Sequence, residues 1–190
     1  MCGRYLFEPE KSPEIARIYD LADQAGFAPK VGEVFPGDQT AVIVAGARQV
    51  QVVAMEWGFP GFSQGQRLIN ARAETVQDKR MFAQSFAAMR CVYPTTGFFE
   101  WTKQKEKVWF NYQTKAQPLY LAGFYGQFSG QDRSIILTTQ PNQAVAAVHD
   151  RMPLLLEKKQ INRWIYDHDF ARQFLTAAMP DLVGQRWVEN

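Results

Sequence analysis

Residues 90–139, RCVYPTTGFFEWTKQKEKVWFNYQTKAQPLYLAGFYGQFSGQDRSIILTT, decide the fold class of this chain. Short runs of β-branched and aromatic residues follow one another here, with turn residues between them and no helical segment. The predicted strands are residues 90–93, 97–101, 107–113, 119–128 and 133–139. Strands that are consecutive in sequence favour antiparallel pairing, so we expect a meander or a barrel-like sheet.

The flanking sequence adds a hairpin and several helices to this sheet. Residues 40–45 and 49–57 form two further strands around a Gly46-Ala47-Arg48 turn. Ser12 and Pro13 predict the start of a helix that Gly26 ends. Further helices are predicted at residues 78–89, 142–148, 157–166 and 169–178. We therefore expect one α+β domain over residues 1–190, with an antiparallel barrel-like β core and peripheral helices.

Composition excludes several classes of protein. The 190 residues are 46% hydrophobic and 21% charged, and 21 Lys and Arg against 19 Asp and Glu give a net charge of +2. This balance does not indicate disorder, and it is too weak to indicate nucleic-acid binding by itself. No apolar run approaches the roughly 18 residues of a membrane span, and the N-terminus lacks a secretory pattern. We expect a cytoplasmic protein.

The sequence also lacks the usual signatures of cofactors. There is no glycine-rich phosphate loop, so we expect no nucleotide cofactor. Two cysteines and two histidines do not form a zinc pattern, so we expect no metal. The two cysteines cannot build a disulfide framework either, which fits a reducing compartment.

Cys2 has the most distinctive chemistry in the chain. It follows the initiator Met, and a small side chain at this position generally permits Met removal, so we expect a mature N-terminal cysteine. Its amine and thiol, with pKa values of about 8 and about 8.5, would lie on adjacent carbons. With an aldehyde, the amine forms a Schiff base and the thiol closes a thiazolidine ring. Acyl transfer by the thiolate is the alternative, and selection for Met removal alone would also explain a small residue.

Arg4 and the segment that begins at Asn70 offer groups for binding an anion. Arg4 places a fixed positive charge near Cys2. In an extended chain Asn70, Arg72 and Glu74 share one face, where the Asn amide can both donate and accept hydrogen bonds. A polar strand face directed to water would produce the same pattern.

Glu100 and His149 are candidates for proton transfer. Glu100 lies in an aromatic run, where desolvation raises the pKa of a carboxyl group into the range of a general acid or base. His149 titrates near neutral pH and can transfer protons. Structural explanations remain open for both, since Glu100 fits the wet face of an edge strand and His149 fits a loop. Trp57 could stack on a nucleobase, with core packing as the alternative.

Five motifs that occur together and in order resemble the SRAP family, the SOS response-associated peptidase proteins that act on abasic sites. The motifs are Met1-Cys2-Gly3-Arg4, Trp57-Gly58, Asn70-Ala71-Arg72-Ala73-Glu74-Thr75, Gly97-Phe98-Phe99-Glu100-Trp101 and His149-Asp150-Arg151-Met152-Pro153. Each motif alone is weak, but the combination is highly specific and spans residues 1 to about 155.

The resemblance implies an SRAP-like fold, binding of single-stranded DNA and covalent capture of abasic sites through a thiazolidine. The implied partner is single-stranded DNA with an abasic site. We expect a monomer, since the sequence shows no heptad repeat and no long apolar stripe, and we expect it to be associated with the nucleoid when it is bound to DNA. The residues implied in catalysis are Cys2, Asn70, Glu100 and His149. The residues implied in DNA contact are Arg4, Arg72, Arg151 and Trp57.

Two other functions fit parts of this pattern. A thiol peptidase or amidohydrolase would use Cys2 as its nucleophile, with the amine or His149 as base, and could act on its own leader. A non-catalytic single-strand binder would use only the arginines and aromatic residues. Simple binding needs none of the four residues implied in catalysis, so the combined pattern favours the crosslinking protein.

Overall fold

The computed structural model describes residues 2–63, 65–114 and 116–188. Its strands are β1 (Tyr5–Phe7), β2 (Gly32–Val34), β3 (Gln39–Val44), β4 (Gln51–Trp57), β5 (Phe59–Pro60), β6 (Arg67–Leu68), β7 (Asn70–Arg72), β8 (Arg90–Thr95), β9 (Gly97–Trp101), β10 (Lys107–Asn111), β11 (Leu119–Phe128), β12 (Gln131–Thr139), β13 (Met152–Pro153), β14 (Leu155–Leu156) and β15 (Val183–Arg186). Its α-helices are α1 (Pro13–Gln24), α2 (Arg80–Ala88), α3 (Gln143–Ala146), α4 (Ile161–Tyr166) and α5 (His168–Phe174). Short 3-10 helices cover Pro9–Lys11, Ala73–Thr75 and Lys158–Gln160.

A closed barrel of β3, β4, β8, β11 and β12 forms the core. Four of its pairings are antiparallel, whereas β12 runs parallel to β4. A ring with an odd number of strands cannot alternate direction throughout, so this barrel requires a parallel pair. The prediction of an α+β fold with a barrel-like core is confirmed, with that pair as an exception to the antiparallel pattern.

A second sheet, in the order β15-β10-β9-β1-β2, lies beside the barrel. The chain leaves the barrel at the end of β8 and enters this sheet at Gly97. In the sheet β1 pairs with β9 through Tyr5 opposite Phe98, and the Phe99 amide donates to the Arg4 carbonyl at 2.9 Å. This pairing draws the N-terminal residues alongside the part of β9 that carries Glu100.

The helices cover the outside of the sheets and largely follow the predictions. Helix α1 buries Ile15, Ile18 and Ala22, and Gly26 follows it at φ +87°, a value that favours glycine. Ser12 stands at the N-cap position of α1, but its buried hydroxyl makes no capping bond, so a side-chain cap does not contribute to the helix start. The predicted helix at 157–166 is a 3-10 turn followed by α4. None of the helices in the described segments has the length and apolar character to span a membrane.

Candidate functional site around Cys2

Cys2 lies fully buried, three residues before β1 of the second sheet. Its carbonyl oxygen accepts a hydrogen bond from Asn70 Nδ2 at 2.8 Å. Strand β7 places Asn70 there by running parallel to β12, with Asn70 opposite Ile136. The Oδ1 atom of Asn70 is also buried, and no group in the described segments donates a hydrogen bond to it. Asn70 therefore holds the Cys2 backbone and keeps one acceptor for a further donor.

Glu100 shares this buried site with Cys2. Its side chain is only 2% exposed, and burial raises the pKa of its carboxyl group to about 7. Burial also raises the pKa of the Cys2 thiol, and the negative charge of Glu100 raises it further. At neutral pH the site thus contains a thiol in its protonated form and a carboxyl group near half ionisation.

His149 approaches Glu100 from the loop that follows α3. Its Nε2 atom lies 3.9 Å from Glu100 Oε2. Its Nδ1 atom lies 3.0 Å from the Arg151 amide nitrogen and 2.9 Å from Asp150 Oδ1. A neutral ring with its proton on Nε2 accepts from the amide, whereas an imidazolium ring donates to Asp150. Partial burial lowers the pKa of His149 against the effect of Asp150, which favours the neutral ring.

These contacts join the four residues that the sequence implicates in catalysis. Asn70 binds the backbone of Cys2, the charge of Glu100 acts on the Cys2 thiol, and His149 lies next to Glu100. The group brings together a thiol, an amide bound to the backbone beside it, a carboxyl group and an imidazole ring. Within the described segments, no cluster of three or more His, Cys, Asp or Glu side chains could hold a metal ion.

Arg4 and Arg72, which the resemblance implies in DNA contact, both have side-chain surface open to solvent. Arg72 is exposed at the end of β7, two residues from Asn70. Arg4 is partly exposed, pairs with Glu33 at 3.2 Å and lies over the rings of Phe35 and Trp101. Neither ring was predicted from the sequence to lie near Arg4. The sequence did offer a signal for Trp101. It directly follows Glu100, so strand alternation places its side chain on the opposite face of β9 from Glu100.

Arg151 does not lie where the phosphate-binding prediction requires. Its side chain is only 8% exposed, and its Nη1 and Nη2 atoms donate to the two carboxylate oxygens of Glu74 at 2.7 and 2.8 Å. Nη2 also donates to the Thr138 carbonyl at 2.7 Å. The fork of the guanidinium is therefore occupied inside the protein, and we correct the predicted role of Arg151.

Trp57 belongs to the core, contrary to the prediction that it stacks on DNA. The side chain is fully buried, with its ring 5.4 Å from that of Tyr5 and 6.4 Å from that of Tyr93. Its Nε1 atom donates to the Ile69 carbonyl at 3.0 Å. Trp57 thus supports the residue that precedes Asn70, and its ring has no face to offer a base.

Trp57→Ala is expected to lower the free energy of unfolding by about 3–5 kcal/mol, because it empties a large core position and removes the bond to Ile69. Urea unfolding followed by circular dichroism measures this change. The matched control is Phe62→Ala, since Phe62 is 84% exposed and its loss should cost less than about 0.5 kcal/mol. A stable Trp57→Ala variant with weakened DNA binding would restore the stacking role.

Known proteins are similar to this chain in sequence. The profile of the family described as SOS response associated peptidase (SRAP) matches residues 1–185. The abasic site processing protein YoaM of Bacillus subtilis is 28% identical, over 94% of this chain and 85% of its own length. The abasic site processing protein YedK of Escherichia coli is 28% identical, over 87% of this chain and 79% of its own length.

Solved structures share the fold. A protein from Bordetella bronchiseptica superposes with a TM-score of 0.78 at 19% identity, covering 99% of this chain and all of the other. A protein from Bacteroides thetaiotaomicron superposes with a TM-score of 0.68 at 21% identity, covering 92% of this chain and 84% of the other. At these identities the likeness concerns the fold alone.

Proposed function

Because this chain belongs to the SOS response associated peptidase (SRAP) family, whose curated relatives include abasic site processing proteins, we propose that it recognises abasic sites in DNA. In this proposal it binds single-stranded DNA and captures the ring-opened sugar. The product is a thiazolidine that joins the sugar to the amine and thiol of Cys2 and shields the lesion.

The observation that carries the proposal is the hydrogen bond from Asn70 to the Cys2 carbonyl at 2.8 Å, with Glu100 near enough for its charge to act on the thiol. This hydrogen bond holds the backbone of Cys2 in place. Because an α-amine would be attached to the same backbone, the bond also determines where that amine would point. Holding a nucleophile in place in this way can supply a large part of the rate enhancement. Met1 lies outside the described residues, so its removal stays a prediction.

The chemistry requires a group that both takes and returns protons. The amine attacks the C1′ aldehyde, and loss of one water gives the Schiff base. The thiol sulfur then adds to the imine carbon while its proton passes to the imine nitrogen, so the whole sequence releases one water. Glu100 suits these transfers because a carboxyl group with a pKa of about 7 is present in both forms at neutral pH.

The neighbouring residues take supporting roles in this proposal. The free Oδ1 acceptor of Asn70 can bind a sugar hydroxyl or the amine, and the Nε2 proton of His149 faces the carboxyl group that works on the adduct. Arg4 and Arg72 bind phosphates on either side of the lesion. Binding through these charges weakens as salt is added.

The state of the thiol argues against the peptidase alternative. Attack on an amide requires a thiolate, and burial raises the pKa of the Cys2 thiol. Closure of the thiazolidine instead adds sulfur to an imine carbon, which is a stronger electrophile than an amide carbonyl once its nitrogen is protonated, so a small thiolate fraction suffices. The same pocket therefore suits adduct formation better than hydrolysis.

A denaturing gel tests the proposed function. The protein is incubated with a single strand that carries one abasic site, with the intact strand, and with a strand whose abasic sugar has been reduced to an alcohol. We expect a shifted, heat-stable band only with the aldehyde-bearing strand. Mass spectrometry should show a chain without Met1, and an adduct whose mass is the sum of both partners minus one water.

The same experiment can reject the proposal. A folded chain with a confirmed N-terminal cysteine that gives no adduct would exclude the crosslinking reaction. An adduct with the reduced sugar would show that the aldehyde is not the electrophile. Turnover of peptide substrates that depends on Cys2 would favour the hydrolase.

A further inference from the structure

The ion pair between Glu74 and Arg151 joins two segments that both reach the candidate site. Glu74 lies in the 3-10 turn directly after β7, four residues beyond Asn70. Arg151 lies two residues beyond His149, and its backbone N–H donates to His149 Nδ1 at 3.0 Å. Side chain and backbone of Arg151 therefore connect Glu74 to the imidazole ring.

The contact has the geometry of a rigid clamp. Two parallel N–H···O bonds of 2.7 and 2.8 Å join the guanidinium to the Glu74 carboxylate. A third bond, from Nη2 to the Thr138 carbonyl, ties the clamp to β12. Bidentate pairs of this kind fix orientation as well as charge. The bonds to Arg151 hold the pKa of Glu74 below its usual range, so the clamp stays charged at neutral pH.

The clamp also bears on which ring nitrogen of His149 carries the proton. The Nδ1 atom faces two groups, the Arg151 amide and the Asp150 carboxylate, and the Nε2 atom faces Glu100. With the amide held in place, the neutral ring keeps its proton on Nε2 and directs it at Glu100. Without the clamp, Asp150 would attract a proton to Nδ1.

We propose that Glu74 is a positioning residue for adduct formation, which acts by locking Arg151 so that the His149 ring presents its Nε2 proton to Glu100. This inference rests on the proposed function, and it assigns Arg151 to the same positioning device rather than to a phosphate. Nothing in the clamp touches the reacting atoms directly.

Single-turnover kinetics of Glu74→Gln and Arg151→Lys test the proposal. Glu74→Gln keeps the size of the side chain and removes its charge, whereas Arg151→Lys keeps the charge and removes the planar fork. Each variant therefore loses the bidentate charged pair. We expect the maximal rate of adduct formation to fall by about 10- to 100-fold, the order expected for a misplaced catalytic group. The strand concentration at half-maximal rate, and the Kd for an intact strand, should stay within about 2-fold. Thermal unfolding confirms that each variant is folded.

A double-mutant cycle shows whether Glu74 acts through His149. If it does, Glu74→Gln should slow the His149→Ala variant by less than about 2-fold, because the positioned group is already gone. An undiminished effect in that background would overturn the proposal. A second pair of results would also overturn it: tighter binding of intact DNA by Glu74→Gln, and a normal rate of adduct formation in Arg151→Lys. Together these results would show that Arg151 binds a DNA phosphate.

Nitrogen NMR of the DNA-free protein separates this proposal from the proposed function. The chain has only two histidines, His149 and His168, so His149→Ala assigns the ring signals. We expect a neutral ring protonated on Nε2 in the parent and a shift of the proton toward Nδ1 in Glu74→Gln. If the ring proton of His149 has the same position in Glu74→Gln as in the parent, the clamp is overturned. If the parent forms no adduct, the proposed function is overturned, and the position of the ring proton still decides whether the clamp exists.

Discussion

Cys2→Ala is expected to lose the heat-stable adduct completely while still forming a transient one. Alanine also permits removal of the initiator Met, so the variant keeps an α-amine at the same place. That amine can still form a Schiff base with the sugar aldehyde. Without a thiol no ring can close, and the imine returns to aldehyde and amine in water.

The measurement compares gels with and without borohydride, which reduces an imine to a stable amine. The variant should give a band only after reduction, whereas the parent should give one in both lanes. Cys91→Ala is the matched control, because Cys91 is equally buried but lies in β8 of the barrel. The thiazolidine assignment fails if Cys2→Ala keeps a heat-stable band without reduction, or if Cys91→Ala loses it.

Glu100→Gln is expected to lower the rate of adduct formation by about 10²- to 10⁴-fold, the usual contribution of a positioned acid or base. Glutamine keeps the shape of the side chain and can donate a hydrogen bond as the protonated carboxyl does, but it cannot exchange a proton. Rapid-quench gels with saturating abasic strand measure the rate. A Glu100→Gln variant as fast as the parent would remove Glu100 from the mechanism.

The same substitution should stabilise the fold at high pH. Because burial raises the pKa of Glu100 from 4.5 to about 7, the folded state prefers the protonated group. That preference is fully present below pH 4.5 and is lost as the pH rises through about 7, where the buried carboxyl must ionise. Relative to the parent, Glu100→Gln should therefore gain up to about 3 kcal/mol between pH 5 and pH 8.

Urea unfolding at both pH values measures this gain. The variant removes the ionisation, so only the parent should lose stability over this interval. Glu106→Gln is a control, because Glu106 lies on the surface and pairs with the exposed Arg186. An equal difference between parent and Glu100→Gln at pH 5 and at pH 8 would contradict a raised pKa at Glu100.

Local signals predicted the elements whose stability is local. The start of α1 at Pro13 and its end before Gly26 depend on backbone preferences that are written in those residues. The hairpin of β3 and β4 needs only a turn between two strand-forming runs. By contrast, residues 90–101 look like one hairpin in sequence, yet β8 joins the barrel and β9 joins the second sheet. That division depends on partners far away in the chain.

The same distinction explains the two corrected residues. Trp57 and Arg151 both belong to the motifs, and neither motif shows whether the side chain turns inward. The inward turn of Trp57 depends on Tyr5 and Tyr93, which come from other strands. Arg151 meets Glu74 across 77 residues of sequence, and no pattern of charges in one segment predicts such a contact.

The amino-acid sequence by itself determined the chemistry available to this protein: a cysteine at position 2, an amide, a carboxyl group in an aromatic run and a histidine. It determined the class of fold as well, because strand and turn preferences are properties of short segments. Only the tertiary structure decided which of these groups meet. The bond between Asn70 and Cys2 spans 68 residues, and it exists because β7 runs along β12 while β1 pairs with β9. The burial that raises the pKa of Glu100 and the pairing of Arg151 with Glu74 likewise arise only when distant segments pack together.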